Sequence, residues 1–148
     1  MSQITPTRAS DEADWRRLWR AYLAFYDTER PDEVYAHSFA RLVDPAVTEY
    51  NGLIAREDGR AVGIVNYIFH CHGWQPAGVC YLQDLYVAPE ARGGGVGRAL
   101  IEAVYAAADA AGRPEVYWLT QADNARARRL YDAVGVATPF MKYRRPPP

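Results

Sequence analysis

Between residues 91 and 100 the chain reads ARGGGVGRAL, four glycines at 93, 94, 95 and 97 set between Arg92 and Arg98. A strand-like run, VCYLQDLYV, ends shortly before it. Immediately after it, Val96, Leu100, Ile101, Val104, Tyr105 and Ala108 recur at the spacing of an amphipathic helix. A turn from strand to helix needs one or two glycines. Four remove nearly every Cβ, so that consecutive backbone N–H groups are free to converge on an anion at the positive end of the helix dipole. Arg92 and Arg98 add charge where phosphates would sit. The outline is that of a phosphate cradle, weighed against a tight turn that binds nothing. The P-loop pattern does not fit, because Gly97 is followed by Arg98-Ala99 and not by Lys-Ser/Thr. The dinucleotide fingerprint does not fit either, since counting from Gly95 its third glycine falls on Leu100.

Around this turn the chain divides into recognisable elements. Ile4 to Ala9 reads as a short first strand. Ser10 or Asp11 then caps a helix in which Trp15, Leu18, Trp19, Tyr22, Leu23 and Tyr26 share a face. Pro31 opens a second helix running to about Leu42, which Asp44-Pro45 ends. Asp58-Gly59 between two apolar runs predicts a tight antiparallel hairpin. GWQPAG reads as a loop, and Val79 to Val87 as the third strand of this series. After the glycine turn, its helix ends at Gly112 and Pro114, and Glu115 to Thr120 reads as a buried strand joined by a right-handed parallel crossover. Asn124 caps a further helix closed by Gly135, and FMKYRR reads as a last strand before a frayed tail at 143–148. The predicted fold is α/β: a twisted, mostly antiparallel mixed sheet with one parallel βαβ crossover, flanked by helices. Residues 1–148 read as one domain.

Composition removes several function classes. The chain has 17 basic and 18 acidic residues, so no overall field draws it to nucleic acid or to an anionic membrane. Its two cysteines, Cys71 and Cys80, lie in apolar runs without metal-ligand spacing and read as small hydrophobes, which points to a reducing compartment. No apolar stretch approaches the ~20 residues of a membrane helix, and the start has no signal-peptide pattern. We expect a soluble cytoplasmic protein with no metal.

A third glycine pattern does fit. Arg92-x-x-Gly95-x-Gly97 resembles the Q/R-x-x-G-x-G/A signature of the GNAT superfamily of N-acetyltransferases. YLQDLYVAPEARGGGVGRALIEAV resembles the central motif of its branch containing spermidine/spermine and histone/polyamine acetyltransferases. NARARRLYDAVG resembles the second motif, N-x-x-A-x-x-L-Y-x-x-x-G. The two segments occur in the right order over the middle and final thirds of the chain.

The resemblance implies that acetyl-coenzyme A (acetyl-CoA) lies between the strand at Val79–Val87 and that at Glu115–Thr120. Its pantetheine would pair with the backbone of Leu85, Tyr86 and Val87 like an added strand. Its pyrophosphate would meet Arg92, the N–H groups of Gly93, Gly94, Gly95, Val96 and Gly97, and Arg98, with Asn124 and Ala127 lining the cofactor. Tyr131 matches the family tyrosine that returns a proton to the departing thiolate, a phenol of about 10 against a thiol of about 8.5. On spacing alone Tyr131 equally suits packing beside Leu130 and Ala127, and Asn124 suits a helix cap.

The general base is where the sequence departs from these relatives, which read L-E-D where this chain has Leu82-Gln83-Asp84. Gln83 cannot accept a proton. It can hydrogen-bond the acceptor substrate or hold a water, which leaves deprotonation to a water chain, to Asp84 or to ionisation in solution. Regular strand alternation places Gln83 and Asp84 on opposite faces. His70 and His72 are further candidates, Trp118 is expected to face the acceptor, and Arg126, Arg128 and Arg129 read as a solvated helix face or as contacts to the coenzyme 3′-phosphate. The expected activity is acetyl transfer to a primary amine of a small molecule such as an amino acid or polyamine, by direct attack in a ternary complex. A protein N-acetyltransferase and a non-catalytic acetyl-CoA-binding regulatory module are the alternatives. The ending VGVATPFMKYRR resembles relatives whose last strand inserts into a neighbouring subunit, which implies a homodimer.

Overall fold

The structure, a computed structural model, describes residues 2–148. Its elements in chain order are β1 (Gln3–Pro6), α1 (Glu12–Phe25), α2 (Asp32–Val43), β2 (Tyr50–Glu57), β3 (Arg60–His72), β4 (Gln75–Val87), α3 (Val96–Ala110), β5 (Val116–Tyr117) and α4 (Ala125–Val134). The five strands form one sheet in sequence order, with β1 to β4 antiparallel and β4–β5 parallel. This is the mixed sheet with a single crossover that the sequence predicts.

Local chemistry explains most boundaries. Asp58 and Gly59 both take positive φ, 50° and 80°, as a type I′ hairpin requires. β1 stops at Pro6, short of the predicted Ala9, because proline cannot donate to a ladder. The chain then makes a 3₁₀ turn, in which Asp11 accepts from the Arg8 N–H at 2.8 Å and pairs with Arg56 at 2.6 Å. That carboxylate is thereby committed, and it does not cap α1.

Three expectations are corrected. GWQPAG is not a loop: only Gly73 and Trp74 turn, and Gln75–Gly78 extend β4 in pairing with the long β3. The strand expected at Glu115–Thr120 shrinks to Val116–Tyr117, paired with Cys80 and Tyr81. Beyond Tyr117 the chain leaves β4, and the Trp118 ring packs against Gly135 and Tyr131. No last strand forms at FMKYRR, since so short a β5 offers its own chain no edge to pair with.

Helices cover both faces of the sheet. On one, α3 buries Val96, Leu100, Ile101, Val104 and Ala108 against Val65, Cys80 and Leu82. On the other, α1 and α2 bury an aromatic cluster in which Trp15 stacks on Trp19 (5.0 Å) and Trp19 meets the edge of Tyr35 (5.0 Å). Because α3 carries the glycine turn at its start, its seating on the sheet determines where that turn points. Leu100→Ala removes a fully buried side chain from this contact. It is expected to lower stability by about 3 kcal/mol, read as a lower urea midpoint at unchanged m.

Candidate active site

β4 is paired with β3 along its length, but it meets β5 only at Cys80 and Tyr81. From Leu82 to Val87 its other edge is therefore open. Strand and chain diverge there, and a cleft of about 620 Å³ opens between the end of β4, the glycine turn, α4 and the C-terminal end of α1. Of the residues predicted to hold a cofactor, Leu85, Tyr86 and Val87 line it from the open edge, Arg92, Gly93, Gly95, Val96, Gly97 and Arg98 from the turn, and Asn124 and Ala127 from α4. Tyr131 lines the same cleft.

The glycines divide by function. Gly93 and Gly95 both take φ of +85°, and a Cβ on either would meet nothing within 4 Å, so they are needed for conformation and leave free space above the turn. Gly97 serves packing, since a Cβ there would lie 3.1 Å from Leu130. Gly94 has an ordinary φ and is not among the residues lining the cleft.

Among the arginines, Arg92 donates from Nε to the Val87 carbonyl (3.0 Å) and lies over the Tyr86 ring, so it braces the turn against β4. Arg98 pairs with Glu102 at 2.8 Å on the surface. Arg126 and Arg129 line the cleft, whereas Arg128 turns away to the Ala122 carbonyl (2.7 Å). The arginine cluster is thus split, and two of its three members face the cleft. Open N–H groups at a helix start, a free strand edge and cationic side chains suit a long, phosphate-bearing, amide-containing molecule such as a coenzyme A thioester.

Asn124 accepts from the Ala127 N–H at 3.3 Å, so it caps α4 and lines the cleft at once. The Tyr131 ring meets Trp118 edge-on (5.5 Å), and burial, with Tyr26 adding to it, pushes its phenol up to about 12. The phenol therefore stays protonated throughout the neutral range.

The largest departure from sequence expectation is at Gln83. β3 and β4 pair Asn66 with Asp84 and Tyr67 with Leu82, leaving Gln83 as a bulged residue. Alternation is broken there, and the Gln83 Nε2 donates to Asp84 Oδ2 at 3.3 Å, so the two side chains meet. Asp84 is only 4% exposed. It also accepts from Asn66 Nδ2 (3.0 Å), whose Oδ1 accepts from Trp15 Nε1 (3.2 Å). Tyr22 and Trp19 of α1 face the same carboxylate, although neither completes a hydrogen bond of good geometry with it. Burial pushes the Asp84 pKa up, and the surrounding donors oppose that only in part.

Trp118, His70 and His72 are not at this cleft. They line a second cleft of about 710 Å³ on the far side of Tyr131, bounded by β5 and residues 135–142. There the His70 Nε2 meets the Tyr117 hydroxyl at 2.8 Å, and the His72 Nδ1 accepts from the Trp74 N–H at 3.1 Å. Gln83 lies behind the lining of the first cleft, in contact with Asp84.

Comparison with known proteins decides the family. The sequence pattern described as Acetyltransferase (GNAT) family matches residues 14–136. The chain belongs to the GNAT acetyltransferase family. It is 43% identical over 136 residues to a D-amino-acid N-acetyltransferase of Saccharomyces cerevisiae, covering 91% of this chain and 84% of that protein. Two solved structures share the fold. The aminoglycoside N-acetyltransferase AAC(6′)-Iy in complex with coenzyme A superimposes with a TM-score of 0.85 at 21% identity, over 99% of this chain and 95% of that one. A ribosomal-protein-alanine N-acetyltransferase from Brucella melitensis superimposes with a TM-score of 0.81 at 20% identity, over 99% of each chain. The GNAT chain described here is thus an acetyl-CoA-dependent N-acetyltransferase.

Sequence reasoning missed Phe25 and Asn66, and it set Tyr22 and Tyr26 only on the shared face of α1, whereas Tyr22, Phe25 and Tyr26 line the cleft. Asn66 carried a signal, a lone amide inside the apolar run GIVNYIF. The α1 aromatics carried none, because the apolar stripe of a helix does not reveal which of its ends overhangs a cleft. The division of labour among the glycines is testable by calorimetry with coenzyme A. Gly94→Ala is expected to leave affinity within about threefold, whereas Gly95→Ala, forced toward negative φ, loses at least about 1 kcal/mol of binding or stability.

Proposed function

We propose that this GNAT enzyme transfers the acetyl group of acetyl-CoA to the primary amine of a small molecule, with amino acids of D configuration the first class to test. The observation that carries the reading is the single cleft in which the glycine turn, the open β4 edge and the Tyr131 phenol converge beneath the aromatic end of α1. The 43% identity to a D-amino-acid N-acetyltransferase over most of both chains supports the choice of acceptor.

Each residue has a task that its chemistry suits. Backbone N–H groups from Gly93 to Arg98 hold the diphosphate, the edge at Leu85–Val87 pairs with the pantetheine amides, and Arg126 and Arg129 take the remaining phosphate charge. Acetyl-CoA supplies the activated thioester. The neutral amine forms a bond to the carbonyl carbon, the carbon–sulfur bond breaks as Tyr131 gives its proton to the leaving sulfur, and the N–H proton released on forming the amide reloads the Tyr131 oxygen. A phenol held near 12 is protonated at every working pH, so the donor is always loaded. Gln83, which does not line the cleft, acts on its amine side through the contact with Asp84.

A homodimer belongs to the same reading. Val136 and Phe140 are 91% and 84% exposed in the isolated chain, and Met141 and Tyr143 are exposed beside them. A segment this apolar with no strand partner of its own suits burial against a second subunit. Sedimentation is expected to give a dimer that a chain ending at Gly135 no longer forms.

Turnover across a panel of D- and L-amino acids, polyamines and aminoglycosides tests the acceptor. Tyr131→Phe is expected to lower kcat by at least about 100-fold while coenzyme A affinity by calorimetry stays within about threefold. An unaltered kcat removes Tyr131 from the reaction, and coenzyme A binding without turnover on any amine favours a regulatory module.

A further inference from the structure

Transfer to an amine requires a proton to leave nitrogen, and residue 83, where the sequences this chain resembles carry a glutamate, is glutamine. We propose that the proton leaves through the Tyr22 hydroxyl to the Asp84 carboxylate, one residue along β4 and one layer deeper. The proposal rests on the acetyl-transfer reading given above.

The geometry supplies the route. Tyr22 lines the cleft while its hydroxyl faces Asp84, with no hydrogen bond of good geometry yet closed between them, so one side chain borders both the acceptor space and the buried carboxylate. Tyr26, one residue past the end of α1, packs against Tyr22 (ring centroids 5.2 Å) and lines the same cleft as Tyr131. Asp84 has no cationic partner among the described residues. The groups facing it are Trp19 and Tyr22 from α1, Tyr26 just past its end, Tyr50 from β2, Asn66 from β3, and Tyr81 and Gln83 from β4. Arg41 of α2 lies over the Tyr50 ring at 5.6 Å and forms no ion pair with Asp84. A carboxylate buried among neutral donors is costly to keep charged, and accepting a proton relieves that cost. The neutral donors Asn66 and Gln83 hold it in place without quenching its basicity as an arginine would.

The transfer balances. An N–H bond of the bound ammonium breaks as a new O–H forms on Tyr22. The original Tyr22 O–H breaks as one forms on Asp84, so that a neutral amine and a carboxylic acid replace an ammonium and a carboxylate. The acid later returns its proton to solvent. Asp84 must be ionised to accept. Because burial raises its pKa, the acidic limb of the rate profile lies above the ordinary carboxylate range: activity is held at higher pH and lost as pH falls through that pKa.

Asp84→Asn and Tyr22→Phe are compared with the wild type in kcat/KM from pH 5 to 9, in coenzyme A affinity and in melting temperature. Both are expected to bind coenzyme A within about threefold of wild type and to lose at least about 100-fold in kcat near neutrality. The loss should shrink about tenfold per pH unit as the amine arrives already neutral. Infrared difference spectra between wild type and Asp84→Asn should show a carboxyl group titrating at the pH of the wild-type acidic limb, a readout that a purely structural role would not move. A wild-type pH profile retained in either folded variant overturns the relay, as does a carboxyl titration unrelated to the limb. If Asp84→Asn does not fold, Tyr22→Phe alone decides. If the wild type acetylates no amine while binding coenzyme A, the functional reading fails first and the relay with it, an outcome distinct from an active enzyme indifferent to both substitutions.

Discussion

β4 is hydrogen-bonded along its length on one side and for two residues on the other, and the architecture of the site follows from that asymmetry. A backbone edge without a partner is ordinarily a liability, since its N–H and C=O groups invite another strand. Here the edge from Leu82 to Val87 faces a cleft, with α3 and α4 packed around its mouth. Trp118, turning away to pack on Gly135 and Tyr131, keeps β5 from closing it. A Cβ on Gly135 would lie 2.8 Å from the Trp118 ring, so even that detour depends on a missing side chain.

The same divergence ties the cofactor end of the site to the acceptor end. α3 starts at the glycine turn and is locked to the sheet through Leu100 and Ile101, so the N–H groups of the turn point along the open edge of β4. α4 lies against α3 across Gly97, where a Cβ would press on Leu130, and it carries Tyr131 one residue further on. The turn that suits a diphosphate and the phenol that suits a thiolate are therefore positioned by one helix–helix contact.

How much of this was legible in the sequence depended on whether the decisive interaction was local. The Asp58-Gly59 hairpin, the glycine turn, the α4 cap at Asn124 and the central and final motifs are encoded over a few residues each, and the structure has them where they were expected. What escaped depends on partners distant in the chain. The length of β5 is limited by where Trp118 finds its contacts, and the tail at 136–148 has no ladder because β5 is short. The meeting of Gln83 and Asp84 follows from a bulge whose register only β3 can set. Tyr22 looks like its neighbours on the α1 stripe until the sheet beneath it shows which turn of the helix overhangs the cleft.

That bulge also changes the meaning of glutamine at position 83. In a regular strand, replacing a carboxylate by an amide removes a negative charge from the cleft. In this chain the next residue is turned to the same side, and a carboxylate remains within 3.3 Å of the amide, only screened from water. An exposed carboxylate attracts any cation, including polycations, and titrates low. A buried one reached through a phenol offers little surface charge to a distant ammonium, yet it binds a proton more tightly. Moving the charge inward by one residue thus exchanges long-range attraction for local basicity. That exchange suits an acceptor recognised at close quarters by the α1 aromatics more than one drawn in by its charge.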